Sequence, residues 1–278
     1  MDDLATYAEN TWCPGCGNFG ILNAFKKSVR QLESQGIARS DIVITAGIGC
    51  HAKIFDYLQL SGFYSLHGRS MATAQGMKLG NPNLKVIVFA GDGDAYGEGL
   101  AHMVFAAKRN ADITVIVHNN GTYGLTTGQA TPTSVKGFRG PSTPDGSVEE
   151  PFNPLGLMLS AGATFVARGY PVKLDHLSSL FTRAIMHEGF SIVDVLQPCV
   201  SFNNTYSLYN ELVTELEAEL DSLDDAMRAA RRTDRLLLGV FQDAEKEPYH
   251  KALMGDLVPA KQRATDKARS KAIAALLE

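Results

Sequence analysis

No apolar run in this chain approaches the roughly 20 residues that cross a bilayer, and its first ten residues, MDDLATYAEN, have neither a basic opening nor an apolar stretch. A membrane span and a secretion leader are not expected, and the chain reads as cytoplasmic. An excess of positive charge is missing too. The 26 Lys and Arg stand against 30 Asp and Glu for a net charge of −4, which gives no electrostatic case for nucleic acid. Internal repeats are lacking. Cysteine is scarce, with 4 among 278 residues. In a reducing compartment so few thiols are metal ligands, catalytic groups or buried apolar residues sooner than disulfides, so their placement matters most.

What is present suits a large core. Hydrophobic residues make up 45% and charged residues 20%, the balance of a folded globular chain and not of a disordered one. Segments rich in β-branched residues at 41–46, 84–90, 113–118, 164–167 and 191–196 alternate with helical apolar spacing at 19–34, 99–110, 154–161 and 172–188. This order predicts an α/β fold, a mostly parallel sheet with helices on both faces, whose ligands bind beyond the C-terminal strand ends. Residues 121–154, rich in Gly, Pro, Ser and Thr, are too long for a mere connector and predict a loop that covers a site or meets a partner. From 208 to 232 the chain is charged with helical spacing. Residues 1–278 are therefore expected to form one domain with a helical C-terminal extension from about 208.

Residues 86–94, VIVFAGDGD, read as a buried strand emptying into a glycine turn, with a helix beginning near Gly97. Glycines let backbone approach a phosphate, and a helix start offers unpaired N–H groups. A carboxylate at Asp92 fits beside phosphate only if a cation bridges them, and magnesium shares carboxylate, carbonyl and phosphate oxygens. The strand at 113–118 then ends in Asn119, Asn120, Gly121, Thr122, Tyr123 and Gly124, amide and backbone oxygens at a neighbouring strand tip. Either half alone reads as an ordinary turn. Together, in order, they resemble the thiamine diphosphate enzymes. The resemblance implies that Asp92, the Asn120 side chain and the Thr122 carbonyl bind magnesium, with Gly91, Gly93 and Asp94 near the diphosphate. Asn119 is expected away from the ion, and Asp94 and Glu98 also read as helix-start residues.

Cys13 and Cys16 form a CxxC pair, Cys50 follows the first strand and Cys199 the last. CxxC alone is equally compatible with zinc and with redox exchange. Cys50 lies in the loop Gly47, Ile48, Gly49, Cys50, His51, suited to cofactor contact, and that couples the thiols to the thiamine site. The motifs WCPGC at 12–16, GIGC at 47–50, LHGR at 66–69 with Gly76 and Lys78 following, GDG at 91–93 and YGLTTGQ at 123–129 resemble the thiamine-binding subunit of the 2-oxoacid:ferredoxin oxidoreductases.

That resemblance implies one four-iron four-sulfur cluster on Cys13, Cys16, Cys50 and Cys199, since zinc has no redox chemistry to offer. It implies thiamine diphosphate held by Ile48, Gly49, Cys50, His51, His67, Gly68, Asn120, Tyr123, Gly124 and Leu125, with electrons passing to ferredoxin and the acyl group to coenzyme A. Lys53, three residues after Cys50, resembles the cation that family members accepting longer 2-oxoacids turn toward the substrate's distal carboxylate, which suggests 2-oxoglutarate, with pyruvate the alternative. Leu125 and Thr127 would shape the same pocket. No glutamate suited to activate thiamine is evident, so a separate α (pyrimidine-domain) subunit is implied, in a heterodimer or a dimer of heterodimers. A thiamine enzyme without a cluster and a zinc-stabilised binding module remain as competitors. His102 and His118 receive no role.

Overall fold

The computed structural model describes residues 4–262 and 265–276. Six strands run parallel: β1 (Ile42–Ala46), β2 (Ser61–Tyr64), β3 (Lys85–Gly91), β4 (Thr114–Asn119), β5 (Phe165–Gly169) and β6 (Ser191–Leu196). With β7 (Val213–Glu215) and β8 (Leu236–Asp243) they form one sheet in the order β2-β1-β3-β4-β6-β5-β8-β7. Alternation within each strand explains how it is covered on both faces. Ile42, Ile44, Ile87, Phe89 and Ile116 join one core beneath α1 (Asn18–Ser34), while Val43, Val86, Val88, Val115 and Val117 join the other, under α2 (Ser70–Gly80), α3 (Leu100–Arg109) and α4 (Pro154–Ser160).

Helix α1 buries Ile21, Leu22, Phe25, Val29 and Leu32, one stripe at helical spacing, against α5 (Leu174–Met186). Burying a side chain such as Phe25 fully contributes about 1.5–3 kcal/mol. Across the same interface the Ser28 and Thr182 hydroxyls meet at 2.9 Å, so both stay satisfied away from water.

The expected helical extension is helical only in part. After α6 (Tyr206–Leu212) come β7, α7 (Leu223–Ala230) and β8, and β8 pairs antiparallel with β5. Leu237, Leu238 and Phe241 are buried, so this segment stabilises itself as a strand of the main sheet. The helices α8 (Tyr249–Met254) and α9 (Asp266–Ala275) close the chain, and α9 buries no residue. The helix expected near Gly97 starts instead at Leu100, because one turn of π-helix, Gly93–Glu98, comes first. Such wide turns occur in short pieces and often at functional sites.

Candidate functional site

Strand β3 ends at Gly91 and delivers Asp92, 2% exposed, into the crevice beyond the sheet. Its Oδ2 accepts hydrogen bonds from Thr131 Oγ1 at 2.5 Å and Thr133 Oγ1 at 2.6 Å, and its Oδ1 from the Asn120 N–H at 3.5 Å. Burial pushes this carboxyl up to about 6, and those donors only partly offset it. None of the three carries a charge, so a buried carboxylate held this way fits a cation site. At the tip of β4, Asn120 Oδ1 accepts the Thr122 N–H at 3.0 Å, which folds the turn so that Asn120 and Thr122 face the same pocket as Asp92. Asn119 turns the other way. Its amide donates to Asp194 at 3.1 Å, and Asp194 also accepts from Tyr96 Oη at 3.0 Å and lies 3.7 Å from Arg168. Asp194 thus ties the π turn, β4, β5 and β6 together beneath the pocket.

Asp94, 2% exposed, accepts the Gly68 N–H at 2.6 Å and the Ile48 N–H at 3.4 Å, binding two loops to the π turn. Its carboxylate occupies the place where a side chain at Gly47 would begin. His67 Nδ1 stands 3.1 Å from Asp94 Oδ1 and 3.2 Å from Glu98 Oε2, and the contact with Asp94 raises the imidazole above its usual range. Tyr123 packs its ring against Gly93, where a Cβ would come within 2.2 Å, and donates to Glu98 at 3.3 Å. His51, fully buried, is lowered to about 4 by desolvation and so is neutral at physiological pH.

The thiols meet on the far side of Cys50. Trp12 Nε1 donates to the Cys50 carbonyl at 2.6 Å and packs edge-on against Phe19 and Tyr57, which fixes the CxxC turn against the first strand's exit. The Gly17 N–H donates to Pro198 O at 3.2 Å, drawing the same turn to Cys199. Burial pushes Cys16 up to about 11, with the neighbouring Cys199, Cys50 and Cys13 adding to the rise. All four cysteines line one pocket with Asn18, Lys53 and Gln197. Cys50, Asn120 and Gly124 line this pocket and the Asp92 pocket alike. A Cβ on Gly124 would sit 3.6 Å from the Cys50 sulfur and 3.8 Å from that of Cys199. Among the described residues no three His, Cys, Asp or Glu side chains are grouped as a single ion requires. Four thiols at one pocket are a donor set that an iron–sulfur cluster can use.

The family described as thiamine pyrophosphate enzyme, C-terminal TPP binding domain, matches residues 47–195, and the family for the C-terminal part of the pyruvate ferredoxin oxidoreductase beta chain matches 199–255. A 2-oxoacid:ferredoxin oxidoreductase subunit beta from Saccharolobus solfataricus is 43% identical over 254 residues, 85% of this chain and 82% of its own length. The chain belongs to the beta subunits of the 2-oxoacid:ferredoxin oxidoreductases. Another such relative, the 2-oxoglutarate synthase subunit KorB of Archaeoglobus fulgidus, is 40% identical over 188 residues, 68% of this chain and 69% of its own. A solved 2-oxoglutarate:ferredoxin oxidoreductase from Magnetococcus marinus, with 2-oxoglutarate, coenzyme A and succinyl-CoA bound, superposes with a TM-score of 0.88 at 33% identity, covering 98% of this beta subunit and 94% of that chain.

Of the residues singled out from sequence, Ile48, Gly49, Cys50, His51, His67 and Gly91 line the Asp92 pocket. So do Gly93, Asp94, Asn120, Thr122, Tyr123, Gly124 and Leu125. Three depart from expectation. Gly68 does not line it, and its N–H is spent on Asp94. Thr127 is exposed with φ +78°, and its neighbour Thr126 faces the pocket in its place. Lys53 lies with the thiols, its Nζ donating to Thr11 at 3.0 Å. Sequence reading missed Thr131 and Thr133 on Asp92, His118 in the pocket wall, and two donors to sulfur, Ser201 to Cys13 at 3.2 Å and Gln197 to Cys16 at 3.6 Å.

Proposed function

We propose that this beta subunit, with an α subunit, oxidatively decarboxylates a 2-oxoacid, foremost 2-oxoglutarate, passing electrons through one four-iron four-sulfur cluster to ferredoxin and the acyl group to coenzyme A. The observation that carries the reading is the shared wall: Cys50, Asn120 and Gly124 face the thiols on one side and the buried Asp92 carboxylate on the other. Electrons released at a coenzyme in the second pocket would have a short path to an acceptor in the first.

Thiamine diphosphate, when bound, supplies the nucleophilic carbon for decarboxylation. This chain's residues do the holding. Asp92, the Asn120 side chain and the Thr122 carbonyl bind magnesium, which neutralises the diphosphate while the glycine turn at 91–93 gives it close backbone. Cys13, Cys16, Cys50 and Cys199 bind the cluster. The relatives named for 2-oxoglutarate support that substrate over pyruvate. An α subunit would also cover the mouth, where the exposed Leu125 lines the pocket and the exposed Leu66 precedes the lining His67. The assembly is a heterodimer or a dimer of them, working in the cytoplasm.

The test is to purify both subunits together without oxygen, assay iron and sulfide, and add 2-oxoacids with coenzyme A. Bleaching of the cluster's visible absorption by 2-oxoglutarate, with release of carbon dioxide, is expected. Bleaching by pyruvate alone would move the substrate, zinc in place of iron would remove the electron path, and turnover of no 2-oxoacid would end the proposal.

A further inference from the structure

We propose that Asn18, held in one orientation by His118, donates a hydrogen bond to sulfur in the thiol pocket and thereby raises the reduction potential of the cluster. This rests on the reading of the four thiols as cluster ligands. Asn18 opens α1 two residues beyond Cys16, is 1% exposed, and lines the thiol pocket. Its Oδ1 lies 2.8 Å from His118 Nδ1, but its Nδ2 has no hydrogen-bond partner among the described residues. A buried amide N–H left without an acceptor is destabilising, so an acceptor is expected there. No cysteine sulfur accepts from it, so the acceptor that would relieve it is a sulfur of the cluster itself, held in the pocket that Asn18 lines.

His118 decides which end of the amide faces them. Its ring is 1% exposed and packs edge-on against Phe89 at 5.8 Å, so it has little room to turn. An amide oxygen can only accept, so His118 Nδ1 donates to Asn18 Oδ1, and this leaves Nδ2, with its two N–H bonds, to the pocket. The flipped amide would aim its oxygen lone pairs at sulfur, which is repulsive, so the assigned orientation is the favourable one. Donors to cluster sulfur stabilise the more negative, reduced state and raise the potential. Ser201 and Gln197 already act on Cys13 and Cys16 from the β6 side. Asn18 adds the donor on the α1 side. His118 is a positioning residue, and because it also lines the Asp92 pocket, with Nε2 unpartnered, the latch stands between the two sites.

The test is an EPR-monitored redox titration of the anaerobic αβ enzyme. Asn18→Leu, of similar volume and without a donor, should show a lower potential than wild type at equal iron content. His118→Phe, which keeps the ring and drops the latch, should move it the same way by less. An unmoved potential in a fully loaded Asn18→Leu protein overturns the inference. Should that variant lose its iron, wild-type enzyme labelled with nitrogen-15 in asparagine side chains decides. The reduced cluster should show side-chain nitrogen coupling by pulsed EPR, weakened in His118→Phe, and no coupling overturns the inference. Wild-type protein that binds no iron defeats the cluster reading along with it, whereas iron without these effects defeats Asn18 alone.

Discussion

At the scale of single residues, the burial of Asp92 is the feature with the clearest consequence. A carboxyl pushed up to about 6 and held only by neutral donors gains most from a divalent cation. Asp92→Ala should weaken magnesium-dependent thiamine diphosphate binding at least about tenfold, or about 1.4 kcal/mol, and unchanged calorimetric affinity would contradict the assignment. Lys53 is a sharper case, because it must leave Thr11 to reach a substrate. Lys53→Ala should raise KM for 2-oxoglutarate and leave that for pyruvate unchanged, and an equal rise for both would remove Lys53 from substrate recognition. The residues legible in the sequence were those with unusual chemistry in fixed spacing, namely GDG, the paired asparagines and four cysteines. Thr131 and Thr133 were not, since a hydroxyl in a Gly- and Thr-rich loop looks like any turn residue until the fold carries it to Asp92.

At the scale of elements, the buried carboxylate of Asp194 joins the π turn to three strands. Asp194→Ala would leave Arg168 buried, 7% exposed, without its counter-charge. A loss of about 3–5 kcal/mol is expected in chemical unfolding, and a loss under about 1 kcal/mol would show the hub to be dispensable. Most strands were legible because burial on both faces makes β-branched runs. β2 was not, since all four of its residues are exposed and only the ladder to β1 makes it a strand. β7 and β8 were hidden for another reason. Their flanks are charged with helical spacing, and the pairing of β8 with β5 and of β7 with β8 is a long-range event that local pattern does not record.

For the whole molecule, the two pockets share a wall, so harm to one reaches the other. Cys199→Ser should lower iron and sulfide content and leave the sheet folded by circular dichroism. Full iron occupancy in that variant would exclude Cys199 as a ligand. The sole tryptophan gives this behaviour a reporter. The Trp12 indole leans on the Cys50 carbonyl, at the rim of the sulfur site. Its ultraviolet emission should therefore be dimmed by nearby iron and brighten as the metal is stripped, a built-in lamp for following cluster assembly without any added dye.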